Sequence, residues 1–262
     1  GAYHGGWSLG GFAGAGVLLV LLKILSFSVN ESIWGLLIVL FIAMVIVSQF
    51  MLTFGSDPNA KITKKSKSPL SFHPIALIFG LLSFVSYLVE GAVGDWSALY
   101  LFEDKGIVIE EAVMGVMLFN GTMCIGRLLG NRLGKHLTSK QVVVGGYLLG
   151  SIAMGLIVFL PGHASMYTYL LLGISLAMIV PNLFSAMGEQ NVIPMTQAVA
   201  TSTMLGYMGI LMGPALIGFI AHGTSLTVAF IVLTTLLVVS AGIGKYAYHL
   251  MSKDCGLSEE QI

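Results

Sequence analysis

Long apolar segments recur along almost the whole chain, and they constrain its fold more than any other feature. A helix needs about 20 apolar residues to cross a hydrocarbon core of roughly 30 Å, because a backbone in lipid must satisfy its own hydrogen bonds. By this criterion the 262-residue sequence contains about eight membrane spans. We predict them at residues 7–28, 31–53, 74–101, 109–130, 141–160, 166–187, 195–221 and 225–250. The predicted fold class is an all-α, polytopic membrane helical bundle.

The composition excludes several classes of function. Hydrophobic residues make up 56% of the chain and charged residues only 9%, whereas soluble domains carry about 25% charged residues. Twelve Lys and Arg balance twelve Asp and Glu, so there is no net positive charge to attract a nucleic acid. The two cysteines, Cys124 and Cys255, have no CxxC or zinc-ligand spacing. We therefore expect no metal, no cofactor and no nucleic-acid partner.

Basic residues near the predicted spans fall on one side of the membrane. They are Lys61, Lys64, Lys65 and Lys67 between spans two and three, Arg127, Arg132, Lys135 and Lys140 between spans four and five, and Lys245 and Lys253 after the last span. The opposite side is mostly acidic, and Lys105 is the only loop lysine there. Because Lys and Arg flanking a span tend to stay in the cytoplasm, we expect both chain ends to be cytoplasmic.

A single long polar segment divides the predicted spans. Residues 54–73 are rich in Lys, Ser and Pro, which is typical of a flexible linker. The linker separates residues 1–53, with two spans, from residues 74–252, with six, and a polar tail follows at 253–262. This division is lopsided and residue 1 is Gly, so we expect that a first bundle has lost about four helices at its N terminus.

Glu90 is the most informative single residue. A carboxylate within a span costs a few kcal/mol unless it is neutralised, paired or facing water. At 3.6 residues per turn, Glu90 shares one face of span three with Ser83, Tyr87, Gly91 and Gly94. This face predicts either a water-filled cavity, in which Glu90 can carry a proton, or a buried hydrogen bond that holds helices together.

Polar stripes also mark two other spans. They are Met117, Asn120, Cys124 and Arg127 in span four, and Ser175, Met178, Asn182 and Ser185 in span six. An asparagine in lipid must bond to a neighbouring helix or to a ligand, and bonding between helices is the default for each. Asp95 and Trp96 are predicted at the membrane interface. Lys23 is predicted to extend to the surface, with pairing to Glu31 or Glu90 as the alternative.

The segment that follows the polar stripe of span four reads Gly126-Arg127-Leu128-Leu129-Gly130-Asn131-Arg132-Leu133-Gly134-Lys135-His136. It resembles the signature loop of the major facilitator superfamily as that loop recurs in the second bundle. Asn131 stands where the family usually has Asp, so an ionic latch in this loop becomes at best a neutral hydrogen bond. Residues 4–10 and 90–97 resemble stretches of fucose-permease-like or sugar-transporter-like bacterial members. The resemblance makes Gly126, Arg127, Gly130, Asn131 and Arg132 a candidate cytoplasmic gate loop.

The resemblance covers the whole chain and implies a function. It implies two six-helix bundles joined by a cytoplasmic linker, with the solute between them near the bilayer midplane. The expected activity is alternating-access transport of a small polar solute, with a sugar as the leading candidate and protons as a candidate co-substrate. The expected location is the bacterial inner membrane, as a monomer when full length. The alternatives are export of small amphipathic compounds and a non-transporting membrane scaffold.

The resemblance also assigns candidate binding residues, because the first, second, fourth and fifth helices of a bundle surround the cavity in this superfamily. On that basis Glu90, Tyr87, Asn120, Asn182 and Tyr207 are expected to bind substrate or couple its transport. An enzyme is not expected, since the spans carry no HExxH, no GxSxG and no clustered aspartates.

Overall fold

The computed structural model describes residues 2–50, 70–133 and 137–255. Most of the predicted linker, and the tail beyond Cys255, lie outside the described residues. Every regular element in the described part is helical. In chain order the helices are α1 (Ala2–Leu19), continued by a π-helical turn (Val20–Ile24), α2 (Val29–Ser48), α3 (Pro74–Glu103), α4 (Ile109–Leu133), α5 (Ser139–Phe159), α6 (Gly162–Tyr167), α7 (Tyr169–Leu176), α8 (Ile179–Glu189), α9 (Met195–Gly223) and α10 (Leu226–Cys255).

The helices match the predicted membrane spans closely. In the described part, seven segments are long and apolar enough to cross a membrane, with α6 to α8 counted as one segment. The first predicted span is a shorter apolar helix, Leu9–Ile24. The prediction of an all-α polytopic bundle is therefore confirmed. Residues 253–255 of the predicted tail belong to α10, and its other residues lie outside the described part.

Local sequence signals set several helix starts. Ser28 and Glu31 form a reciprocal capping box at the start of α2, and Thr138 and Gln141 form one at the start of α5. Such boxes satisfy backbone N–H groups that have no partner within the first helical turn. Helix α3 begins at Pro74, whose missing N–H costs nothing at the first helical position.

The sixth predicted span, 166–187, is broken into three helices. Helix α7 ends at Leu176 and α8 starts at Ile179. The cause is Pro181, which has no N–H to donate to the carbonyl of Ala177 four residues earlier. The predicted span is still present as one apolar segment, Gly162–Glu189. The break within it leaves the Ala177 carbonyl available to another donor.

Helix α3 is the centre of the bundle and α2 lies at its edge. Of the residues in the apolar stretch of each helix, 67% are buried in α3 but only 6% in α2. Helix α9 packs directly on the backbone of α3, because its contact positions are glycines. A Cβ on Gly213 would lie 2.6 Å from the carbonyl oxygen of Leu88, and one on Gly209 would collide with the carbonyl of Phe84. The indole of Trp96 also donates to the carbonyl oxygen of Pro214 at 2.9 Å.

We predict that Gly213→Ala lowers the free energy of unfolding by about 1–3 kcal/mol, because the added methyl group forces α9 away from α3. The matched control is Gly242→Ala on α10, where a Cβ meets no atom within 4 Å. That control should be neutral or stabilising by up to about 1 kcal/mol, because alanine favours helices. Chemical unfolding in detergent micelles measures both values. Equal effects of the two substitutions would contradict the proposed backbone contact.

Candidate functional site

A cavity of about 640 Å³ lies between α1, α3, α4 and α9. Its polar side chains are Glu90 and Asp95 from α3 and Asn120 from α4. Much of the remaining wall is glycine, from Gly6, Gly10 and Gly11 on α1 and from Gly91 and Gly94 on α3. Because glycines carry no side chain, the helices enclose a space of the size usual for small-molecule sites.

Glu90 forms a buried ion pair with Arg127 at the wall of this cavity. The Nη2 atom of Arg127 donates to Oε1 of Glu90 at 2.9 Å. The two side chains are only 1% and 7% exposed for Arg127 and Glu90, respectively. A charge at membrane depth is expensive unless it is paired, and here each charge supplies the partner of the other. The pair joins α3 to α4.

Arg127 has a second partner, which the break in the sixth span creates. Its Nε atom donates to the carbonyl oxygen of Ala177 at 3.4 Å. This is the carbonyl that loses its helical partner at Pro181. A guanidinium carries five N–H donors, so a buried arginine needs several acceptors. Arg127 therefore connects α3, α4 and the α7–α8 break at one point.

The position of Arg127 corrects the prediction of a cytoplasmic loop. Gly126, Arg127, Gly130, Asn131 and Arg132 all lie within α4. A Cβ on Gly126 would lie 2.5 Å from the Cβ of Ala177, so Gly126 packs α4 on the α7–α8 segment. Gly130 likewise faces the side chain of Met178. The side chains of Asn131 and Arg132 lie outside the described residues, and a gating role for this segment stays a prediction.

Asn120 lies in the same cavity as Glu90. Its Nδ2 atom donates to the carbonyl oxygen of Val116, one turn earlier in α4, at 3.0 Å. The Val116 carbonyl can accept only from the nitrogen of the Asn120 side-chain amide, so this bond fixes the positions of the amide nitrogen and oxygen. Its oxygen is directed towards α1, where a Cβ on Gly11 would lie 2.7 Å from it.

The other predicted binding residues are not brought to the cavity wall. Tyr87 and Tyr207 stack on each other, with ring centres 5.8 Å apart and ring planes 6° apart. They join α3 to α9, and neither is among the described residues that line the cavity. Asn182 lies elsewhere, where it bonds to the carbonyl of Met178 at 2.8 Å and accepts from Ser139 at 3.2 Å. It lines a second cavity of about 310 Å³.

A charged contact lies where the π-helical turn after α1 meets the start of α4. The Nζ atom of Lys23 is 2.6 Å from Oε1 of Glu111, and Nε2 of His163 is 3.0 Å from its Oε2. Lys23 therefore pairs with Glu111, and the predicted alternatives, Glu31 and Glu90, are wrong. Lys23 lies on the π-helical turn itself, which changes the direction of side chains relative to a regular helix.

Lys105 lies in the loop between α3 and α4, outside the membrane-spanning segments. Its ammonium group donates to the carbonyl oxygen of Val158 at 2.6 Å and lies 5.3 Å from the centre of the Tyr100 ring. Burial lowers the pKa of Lys105, while the nearby Asp104 carboxylate acts in the opposite direction. Lys105, the lysine predicted on the acidic side of the membrane, thus contacts α5 through Val158 and α3 through Tyr100.

Sequence reasoning missed two features of this site. The first is the partner of Glu90, although the polar stripe of span four already placed Arg127 on the same helix face as Asn120. The second is Asp95, which was predicted at the membrane interface but lines the cavity. Its spacing from Glu90, Gly91 and Gly94 along α3 was the signal that could have found it.

Three known proteins are similar to this chain, and two of them are named as transporters. No protein-family model matches the chain. An uncharacterized MFS-type transporter of Yersinia pestis is 36% identical over 244 residues, which cover 91% of this chain and 61% of that protein. Membrane protein MosC of Rhizobium meliloti is 30% identical over 170 residues, which cover 64% of this chain and 42% of that protein. An uncharacterized transporter of Sinorhizobium fredii is 28% identical over 159 residues, or 59% of this chain and 41% of that protein.

The chain thus spans 61% of the length of the first of these relatives. Its apolar helices and its similarity to these proteins show that it is an integral membrane protein.

We predict an asymmetric response to removal of the two charges. Glu90→Gln leaves the Arg127 cation buried without its carboxylate, and arginine cannot lose its proton, so stability should fall by about 3–5 kcal/mol. Arg127→Gln should cost less, because a carboxylate left alone can neutralise itself by binding a proton. The double variant should recover most of the loss, as measured by chemical unfolding in detergent micelles. A stability loss in the double variant equal to the sum of the losses in the two single variants would contradict the ion pair.

Proposed function

We propose that the chain is part of a major facilitator superfamily transporter, which moves a small polar solute across the membrane by alternating access. The solute site is the cavity of about 640 Å³ between α1 and the helices α3, α4 and α9. The observation that carries this proposal is the buried Glu90–Arg127 pair at the wall of that cavity. A pair of charges at membrane depth beside an open space is typical of a transport pathway.

The proposed division of the chain puts the cavity between two bundles. Residues 1–53 form the last two helices of a first bundle, residues 54–73 form a cytoplasmic linker, and residues 74–252 form a complete second bundle. Helix α1 then belongs to one bundle and α3, α4 and α9 to the other. A site between bundles is exposed alternately to the two sides when the bundles rock against each other. Both chain ends are cytoplasmic in this proposal, in a bacterial inner membrane.

The contact between Lys23 and Glu111 suits such a movement. It joins the end of the α1 segment to the start of α4, and therefore joins the two proposed bundles. Both side chains are partly exposed, at 48% and 28% for Lys23 and Glu111. Exposed ion pairs contribute only about 0–1 kcal/mol, so this contact can break and re-form as the cavity opens and closes.

Glu90 is the proposed coupling residue and a sugar is the proposed solute. The Glu90 carboxylate can hold either the Arg127 guanidinium or a proton, and Arg127 keeps the Ala177 carbonyl when the pair separates. The hydroxyl groups of a sugar match the carboxylates and the Asn120 carbonyl oxygen, which accept hydrogen bonds. Proton uptake at Glu90 would remove its negative charge from the wall that contacts the solute.

A panel of sugars and other small polar solutes tests this function on the purified chain in detergent micelles. At a concentration 100 times its dissociation constant, a bound solute should stabilise the folded chain by about 2.7 kcal/mol. Gly94→Leu should abolish the effect, because Gly94 lines the cavity and a side chain there has open space to fill. Gly14→Leu is the matched control, since its Cβ meets no atom within 4 Å and Gly14 is not a lining residue.

The absence of any stabilising solute would contradict the transporter proposal and favour a membrane scaffold. Stabilisation that persists in Gly94→Leu would place the binding site elsewhere. For the coupling role, uptake of the stabilising solute by proteoliposomes is followed over a pH series. Glu90→Gln should lower uptake and remove its pH dependence, and unchanged uptake would exclude Glu90 from coupling.

A further inference from the structure

The two carboxylates of the cavity differ in charge balance. Glu90 is neutralised by Arg127 at 2.9 Å. Asp95 lies on the same helix, five residues further on, and is exposed where it lines the cavity. None of the described lining residues is a lysine, an arginine or a histidine. Among these described residues, the negative charge of Asp95 therefore has no cation to balance it.

The described residues of the wall also present more hydrogen-bond acceptors than donors. The amide nitrogen of Asn120 donates one of its two N–H groups to the Val116 carbonyl, and the amide oxygen remains as an acceptor for a ligand. Pro214 has no N–H for the carbonyl of Ile210, and both residues line the cavity. That carbonyl oxygen lies 3.0 Å from the Cβ position of Gly91. The backbone N–H groups of the lining glycines in α3 are used within the helix.

An acceptor-rich wall with one unbalanced negative charge selects a ligand that is rich in donors and positively charged. An ammonium group has three donors and no acceptor, and its bonds to a carboxylate are stronger than those between neutral groups. Among the described lining side chains, a carboxylate or phosphate solute finds a donor only in the second N–H of Asn120, and it meets the like charge of Asp95. A neutral polyol finds acceptors but leaves the charge of Asp95 unbalanced.

We propose that the cavity takes a small polar solute bearing a protonated amino group, which Asp95 binds while the carbonyl oxygens of Asn120 and Ile210 accept from its other donors. This inference rests on the proposed function and adds the chemical class of the solute. An amino sugar or an amino alcohol has the required groups. Asp95 is then a specificity-determining residue, and Glu90 remains the residue that couples or holds the helices.

Matched probes that differ in charge test the proposal. Three series each contain a cation, a neutral analogue and an anion: glucosamine, glucose and glucuronate; glucamine, sorbitol and gluconate; putrescine, butane-1,4-diol and succinate. Thermal unfolding of the purified chain in uncharged micelles at neutral pH reports binding. In at least one series, the amine should reach half-maximal stabilisation at a concentration about tenfold lower than its neutral analogue. The anion should not stabilise the chain.

Three variants on α3 test whether the preference for the amine depends on Asp95. Asp95→Asn should remove the preference for the amine, and Asp95→Glu should retain it because the charge is kept. Glu103→Gln is the matched control, because it removes one negative charge from the same helix at an exposed position outside this cavity. Unfolding of each variant without probe shows that it is folded.

The remaining outcomes overturn the inference in distinguishable ways. A neutral analogue that binds as well as the amine, or a preference that survives Asp95→Asn, contradicts the amine class but leaves the transporter proposal intact. A preference lost equally in Glu103→Gln reduces the effect to general surface charge. If no amine in the three series stabilises the chain, the inference is wrong, and the separate solute panel then decides whether the proposed function fails as well.

Discussion

The ion pair between Glu90 and Arg127 is the interaction on which the rest of this structure depends. Two opposite charges are buried within apolar helices, and neither is tolerable there without the other. The pair fixes α3 against α4 at a set depth. Because Arg127 also reaches the carbonyl that Pro181 leaves without a donor, the break in the sixth span belongs to the same arrangement. One proline, one arginine and one glutamate thus join three parts of the bundle.

Glycine makes the second contribution, and it acts in two opposite ways. On α9, glycines bring the helix onto the backbone of α3, where a methyl group at Gly213 would collide with the Leu88 carbonyl. At Gly6 and Gly10 on α1 and at Gly94 on α3, glycines instead leave space, because a Cβ there would meet nothing within 4 Å. Close packing on one side of α3 and open space on another place its carboxylates beside a cavity.

The sequence predicted the spans well and singled out two polar residues that line the cavity, for identifiable physical reasons. Span positions follow from the thickness of the bilayer, which sets the length of an apolar helix. Glu90 and Asn120 stand out because a polar residue in lipid is costly and helical periodicity shows which residues share its face. The all-α bundle and the approximate positions of its spans required nothing beyond these two rules, whereas helix starts and breaks also depend on caps and prolines.

Other features depend on contacts between distant residues, and periodicity does not reveal them. Arg127 was predicted both on the polar face of span four and in the loop that the family resemblance suggested, and it lies within α4, which continues to Leu133. The partner of Lys23 depends on the π-helical turn, for which no sequence signal was recognised. Asn182, like Asn120, is an asparagine in a polar stripe with helical periodicity. It nevertheless bonds to Ser139 and Met178, away from the cavity. Residue type and period were insufficient to tell these two asparagines apart.

The most direct test of the central claim is the reactivity of a cysteine placed in the cavity wall. In a background with Cys124→Ala and Cys255→Ser, Gly94→Cys is compared with Gly242→Cys, which lies on an open surface of α10 outside the described cavity wall. Thiol modification requires the thiolate, and therefore water. A charged, membrane-impermeant methanethiosulfonate should modify Gly94→Cys rapidly and Gly242→Cys slowly. Equally slow modification of both cysteines would show that the space beside Glu90 is closed to water, and would contradict the account.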